Sequence, residues 1–400
     1  MSRFLFVSLP LAGHVNPLAA VARELERAGQ EVAWAGSEAF LRPLIAPGQR
    51  VYPIPLRAHR GGAERGLAST KSRWEGYIVP HARVTRAGIR GAIADFAPDV
   101  LAVDQHAVAG AIEAHRHGLL WATLAPTTME LTRPLRTFPK VEAWILDQLA
   151  AMWSVAGMPG LPPHDLRFSP HLVIAFTGAA LVGEAMAQLP ANTHLVGPAL
   201  TGRPADPAFP RHWLDEGRRH VLVTVGTLAA DMSGTFYRRA GAALRPLGDR
   251  LQAVVVAPDG AMPDPPEHVL VRPRVPVLEL MPRLDAVVSH GGLNTVCEAL
   301  AHGVPLVIAP IRGDQPINAA QVAAAGAGIR IRFDGARPES LRDPLLTVLE
   351  DPSYRSAAAR VARSLCEAGG AAAAARHLGA LAERGAGSPV LAGGNHSENE

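Results

Sequence analysis

Only two cysteines, Cys297 and Cys366, occur in 400 residues. That excludes a disulfide scaffold and a Cys-rich zinc site, and it suits a reducing cytoplasm. No apolar run reaches the ~18 residues of a membrane span, so stable membrane insertion is not expected. Charge of one sign is missing too: 39 Lys and Arg stand against 36 Asp and Glu, a net charge of +3. The isoelectric point near 9.2 comes with no long basic run, which argues against a nucleic-acid partner. Lysine appears only at Lys71 and Lys140, so the basic content is arginine, as GC-rich bacterial genes produce. There is no Asp-x-Asp and no His/Cys group at metal-ligand spacing, so neither a metal nor another cofactor is expected. Disorder is excluded over most of the length by an apolar fraction of 48%.

Short apolar runs alternate with helical stretches along most of the chain. The first half contains FLFVSLP, EVAWAG, RVYPIP, DVLAVD, LLWATLAP and HLVIAFT. The second repeats the theme with HVLVTVG, LQAVVVAP, HVLVRP, DAVVSH, PLVIAP and GIRIRF. Near-continuous apolar strands separated by helices indicate parallel sheets covered on both faces. FLFVSLP is read as a buried strand rather than a signal-peptide core, because LAAVARELERAG follows as an amphipathic helix. A Pro/Gly-rich segment, roughly Gly197 to Pro210, is the linker candidate. The expected architecture is α/β: two doubly wound Rossmann-like domains facing a central cleft. The first spans 1–203 and the second 204–385, with room for the last helices to pack back on the first domain. A Gly/Ser/Asn-rich tail over 386–400 is expected to be disordered.

In open parallel sheets, ligands bind beyond the carboxyl ends of the strands. Five strand ends carry polar or Gly-rich groups: His14 after the first strand, Asp104-Gln105-His106, Gly226-Thr227, His290 through Thr295, and Asp314-Gln315. The sharpest segment is SHGGLNTVCEALAHGVPLVIAP. Gly291 and Gly292 allow close backbone approach, and the helix opening near Asn294 offers free N–H groups to an anion such as a pyrophosphate. Glu298 lies one turn on from Asn294, where a carboxylate could accept both ribose hydroxyls; an ordinary capped Gly-turn is the alternative. A lone His is more often structural than catalytic, but Asp104 on a neighbouring strand end could orient His14 as a general base, with His106 a nearby competitor.

These residues resemble the bacterial branch of the family-one nucleotide-sugar glycosyltransferases, which have the GT-B fold. AGHVNPL is similar to that family's N-terminal His motif, and SHGGLNTVCEALAHGVPLVIAPIRGDQPINAAQV to its donor signature. The likeness covers roughly residues 3–370 and extends both to zeaxanthin glucosyltransferases and to macrolide and other antibiotic glycosyltransferases. It implies that His14 is the general base and that Asp104 holds the far imidazole nitrogen. His290, Gly292, Asn294 and Thr295 would hold the donor phosphates, with Gly226-Thr227 near the β-phosphate. Glu298 would bind the ribose, and Asp314 and Gln315 the transferred sugar. Where the family often has Trp-x-Pro-Gln, this chain has Arg274-Val275-Pro276-Val277. Arg274 would stack on the base and the Val275 backbone read its edge, so UDP and TDP both stay open.

The reaction implied is inverting transfer of a hexose or deoxyhexose to a hydroxyl of a small, largely apolar acceptor, an antibiotic or polyketide aglycone or a carotenoid. Trp74, Tyr77, Phe138, Trp144 and Trp153 fall in irregular parts of the first half and could line the acceptor pocket or belong to the core. A nucleotide-sugar epimerase of the same fold is the alternative enzyme. A non-catalytic nucleotide-sugar-binding auxiliary would be expected to lose His14 or Glu298, and both are kept. A glycoside hydrolase would leave the phosphate-binding segment unexplained. A homodimer stays open.

Overall fold

The computed structural model describes residues 1–54, 64–201, 203, 207–226, 234–335 and 337–387. The strands of the first half are β1 (Arg3–Val7), β2 (Glu31–Gly36), β3 (Arg50–Pro53), β4 (Val100–Asp104), β5 (Leu120–Ala125), β6 (Val173–Ala175) and β7 (Thr193–Leu195). Those of the second are β8 (Arg219–Thr224), β9 (Leu251–Val256), β10 (Val269–Arg272), β11 (Ala286–Ser289), β12 (Leu306–Ile308) and β13 (Gly328–Arg330). The first sheet runs β3-β2-β1-β4-β5-β6-β7 and the second β10-β9-β8-β11-β12-β13. Neighbours are parallel throughout. Both orders are those of doubly wound α/β sheets, so the fold has two Rossmann-like units. Each apolar run of the sequence becomes a strand; β7, three residues long with His194 exposed at the sheet edge, is the strand that periodicity does not reveal.

The chain reverses direction around each sheet at one place. In the first, the helix Ala12–Arg27 follows β1 and packs with Phe4 and Phe6 on one face. The helix Val108–Arg116 follows β4 and packs with Leu5 and Val7 on the other. In the second, the helix Gly234–Leu244 packs on one face and Leu293–Ala301 on the opposite face. Helices leaving to opposite sides open a crevice between β1 and β4, and another between β8 and β11. The final helix, Gly370–Gly387, returns to the first unit: Ala371, Ala374, Leu378 and Leu381 join the core beside Val15 and Leu18. Its small alanine face lets two helix backbones approach closely. Residues 388–400 of the expected tail lie outside the described residues. No helix among the described residues is long and apolar enough to cross a membrane.

Candidate active site

The first crevice holds a His–Asp pair. His14 sits in the first turn of its helix, and its Nδ1 lies 2.8 Å from Asp104 Oδ2 at the tip of β4. Asp104 is fully buried. Ser8 Oγ and the Leu9 N–H each donate to Oδ2 at 3.2 Å, and the His106 N–H donates to Oδ1 at 3.0 Å. Burial pushes this carboxyl up; the charge and hydrogen bond of His14, with help from His106, outweigh it and hold the group down at about 2. An ionised Asp104 fixes the proton on Nδ1 and leaves Nε2 as the basic nitrogen.

A second buried pair stands beside the first. His106 Nε2 lies 3.6 Å from Glu130 Oε1, and the His106 and His14 ring centroids are 6.0 Å apart. Arg167 caps this line: it donates to Glu130, to Glu142 at 2.6 Å and to Asp165 at 2.8 Å. Tertiary folding brings ligand atoms of His14, Asp104 and His106 within 4.8 Å of one another, a grouping that sequence spacing did not reveal. Within this group Asp104 accepts four hydrogen bonds, one of them from His14.

The second crevice faces the first. Gly292 is the N-cap of Leu293–Ala301, and no side chain caps that helix, so its first N–H groups are left for a ligand. His290 packs between two glycines: a Cβ on Gly226 would lie 2.8 Å from its ring, and one on Gly292 2.9 Å from Nε2. Gly226 also has φ +74, and Gly291 has φ +88 with a Cβ that would meet Ile308 at 2.7 Å. Burial drives the His290 imidazole down to about 4, so it stands neutral at pH 7. Thr227 lies outside the described residues.

The sugar-loop candidates diverge. Asp314 caps the helix Gln315–Ala324, and its Oδ2 accepts from Asn318 Nδ2 at 3.0 Å. Gln315 turns its Oε1 inward to accept the N–H groups of Ile311 and Arg312, at 2.8 and 2.9 Å. It braces the loop that the resemblance gives to the sugar. Glu298 is buried, but its carboxylate is taken by Arg203 in a two-point pair. The expectation of a carboxylate open to ribose is corrected to one that must first release a guanidinium. Arg274 is exposed and Val275 half-buried against the second unit's core.

The aromatic candidates do not line one pocket. A π-helical turn, Trp74–Ile78, joins the helices Gly66–Arg73 and Val79–Phe96 and turns Trp74 into the core at 0% exposure. Tyr77 is buried in the same cluster, and burial and the charge of Asp104 raise its phenol. Trp153 is core as well, donating Nε1 to the Pro159 carbonyl at 3.0 Å, and Trp144 packs half-buried on this cluster. Phe138 is exposed at the start of the helix Pro139–Val155.

Among the described residues several contacts join the two units, an Arg65–Asp334 ion pair among them; two of them lie at the candidate site, and neither was foreseen. Pro17 lies inside the helix Ala12–Arg27 and has no N–H for the carbonyl four residues back, which is Gly13's. Asn294 Nδ2, from the other unit, donates to that carbonyl at 2.9 Å. Thr128 Oγ1 donates to Asn318 Oδ1 at 2.6 Å. The signal available in the sequence was slight: Asn318 stands four residues after Asp314, one helical turn on the same face.

Residues 250–379 match the family described as erythromycin biosynthesis protein CIII-like, C-terminal domain. The chain is 28% identical to 4'-demethylrebeccamycin synthase of Lentzea aerocolonigenes, over 90% of this chain and 94% of that protein. It is 27% identical to demethyllactenocin mycarosyltransferase of Streptomyces fradiae, over 94% and 85%. Among solved structures, the glycotransferase of kitacinnamycin superposes with a TM-score of 0.78 at 23% identity, covering 95% of this chain and 99% of that one. The glycosyltransferase VinC, solved in complex with dTDP, gives 0.74 at 20% identity, covering 96% and 100%.

Proposed function

We propose that this chain, which has the GT-B fold and is similar over most of its length to antibiotic glycosyltransferases, carries out an inverting sugar transfer from a UDP- or TDP-sugar to a natural-product hydroxyl. The acceptor hydroxyl gives its proton to His14 Nε2 while its oxygen bonds to the anomeric carbon. The bond from that carbon to the phosphate oxygen breaks, and its electron pair leaves on the nucleoside diphosphate. An alcohol is a poor nucleophile at neutral pH, and a positioned base contributes ~10²–10⁴-fold. Asp104 stabilises the imidazolium as it forms. Charge developing on the diphosphate meets the uncapped start of Leu293–Ala301; each such donor is worth ~3 kcal/mol. Charge at both ends of the reaction is thus met by protein groups, and the reading calls on no metal.

The observation that carries this reading is the opposition of two features. A buried-carboxylate-held imidazole faces an uncapped helix start, and Asn294 joins the two at 2.9 Å through Gly13. Glu298 takes the ribose once Arg203 withdraws. Asp314 takes sugar hydroxyls, and Arg274 with the Val275 backbone takes the base. The names of the relatives support a small antibiotic or polyketide aglycone as acceptor, and a hexose or deoxyhexose as the sugar. A cytoplasmic enzyme fits the two free thiols.

The test is thermal stability against UDP, TDP, GDP, ADP and NAD. A ligand specific to the folded state, at ~100 times its dissociation constant, adds ~2.7 kcal/mol. A shift with UDP or TDP alone is expected. A shift with NAD or ADP alone, or with none, defeats the reading.

A further inference from the structure

Asn318 has no role in the reaction as set out above, yet it touches three parts of the site. It is wholly buried in the helix Gln315–Ala324. A buried primary amide is costly unless its hydrogen bonds are made. Its Nδ2 donates to the Gly291 carbonyl at 2.8 Å and to Asp314 Oδ2 at 3.0 Å. Its Oδ1 accepts from Thr128 Oγ1 at 2.6 Å, across the cleft. The partners are the turn of the donor signature, the carboxylate assigned to the sugar, and the loop after β5 in the opposite unit.

We propose that Asn318 is a positioning residue that sets the Asp314 carboxylate and the Gly291 turn on the donor sugar, and that Thr128 locks it in that orientation when the two units meet. The inference rests on the glycosyltransferase reading and deepens it. A terminal carboxylate rotates freely unless a donor holds one oxygen. Asn318 holds Oδ2 of Asp314 and leaves Oδ1 to receive a hydroxyl. An amide can itself flip; the Gly291 carbonyl and Asp314 Oδ2, both acceptors, fix the orientation in which the Nδ2 group faces them, and the Thr128 hydroxyl, donating to Oδ1, anchors the amide a third time from across the cleft. Opening the cleft removes Thr128 and with it the lock. The sugar is then placed for attack only when His14 is also in place. That coupling protects the donor from water in the open enzyme.

The experiment compares affinity for UDP and TDP with affinity for UDP-glucose and TDP-glucose, by calorimetry on the full chain. The quantity read is the ratio of the nucleotide dissociation constant to that of the nucleotide sugar, which reports the sugar's own contribution and needs no acceptor. Asn318→Asp keeps the volume but removes both N–H donors and sets a second carboxylate beside Asp314. Its ratio is expected to fall about 10-fold, a loss in nucleotide-sugar affinity well beyond any loss in bare-nucleotide affinity. Thr128→Val, which keeps the side-chain shape and so keeps the test open if Asn318→Asp does not fold, should lower the ratio in the same direction by less. Thr128→Ser, which restores a hydroxyl, should recover it. An unchanged ratio in Thr128→Val, or equal loss of nucleotide and nucleotide-sugar binding, overturns the proposal and leaves Asn318 a packing residue. A wild-type chain that binds nucleotides but gains nothing from the sugar overturns it as well. Failure of the wild-type chain to bind UDP or TDP is a different result, because it overturns the glycosyltransferase reading itself and this proposal with it.

Discussion

Arg203 grips the carboxylate of Glu298 at two points, Nη1 to Oε2 at 3.2 Å and Nη2 to Oε1. The arginine comes from the segment between the two sheets, and the glutamate lies in the helix that opens the donor signature. Burial pushes the Glu298 carboxyl up and Arg203 opposes that push. In the function proposed above, a ribose diol would compete with this guanidinium for the same two oxygens.

The first prediction follows from that competition. Arg203→Ala should tighten UDP or TDP binding roughly 2- to 5-fold, the worth of a partly exposed pair. Glu298→Ala should weaken it. Titration calorimetry decides between the two roles: weaker binding in Arg203→Ala would make Arg203 a donor-site residue rather than a competitor.

Pro17 gives a prediction in which stability and activity part company. Pro17→Ala supplies the missing N–H to the Gly13 carbonyl and removes a ring from a helix interior, where proline costs ~3 kcal/mol. The melting temperature should hold or rise. Asn294 then shares its acceptor, and kcat/KM should fall by several-fold up to about 10-fold, the worth of one hydrogen bond. Unchanged kcat/KM would show that the cross-cleft bond does not serve the reaction.

For the dyad, His14→Ala should lower transfer by ~10²–10⁴-fold and leave nucleotide affinity nearly intact. Asp104→Asn should cost activity of the same order, because the imidazole loses the carboxylate that fixes its tautomer. Rates with saturating donor, beside nucleotide affinities, test both. A large loss of nucleotide binding in His14→Ala would move His14 into the donor site.

Stability should fall on mild acidification. Burial drives His81 and His290 down to about 4, against an ordinary value of 6.5. Between those values the unfolded chain binds more protons than the folded one, so stability is full above pH 6.5 and declines as pH drops toward 4. Asp104, held at about 2, keeps its charge through that window and yields its contribution only below about pH 4. Thermal melts from pH 4 to 8 should show the decline, and His81→Leu should make it shallower. A melting temperature that rose on acidification would contradict the burial of these rings as neutral groups.

The fold was legible to the extent that periodicity and length carry it. Apolar runs of strand length, spaced by amphipathic helices, leave a parallel sheet as the economical way to satisfy backbone groups buried on both faces. Their order of appearance gives two such sheets. What escaped was short or edge-bound, as with β7, whose three residues are half-buried or exposed. The first helix also starts before its amphipathic stretch LAAVARELERAG: it begins at Ala12 and runs through Pro17.

Sequence alone determined which strand ends carry polar or glycine-rich groups. His14, Asp104, His290, Gly292, Asn294 and Asp314 all stand where a strand stops or a helix begins, and that placement is local. Only the tertiary structure decided what those groups face. The Asp104 carboxylate with its four donors, the Arg203 guanidinium on Glu298, and the bonds from Asn294 and Thr128 across the cleft join residues from 2 to 281 positions apart. The aromatics make the same point: its place in an irregular stretch left Trp74 open between pocket and core, and one π-helical turn put it in the core. Local pattern fixes secondary structure because hydrogen bonding and side-chain period act over a few residues. A polar side chain's partner is chosen by packing, where the cost of leaving a buried group unpaired selects among contacts that no local pattern encodes.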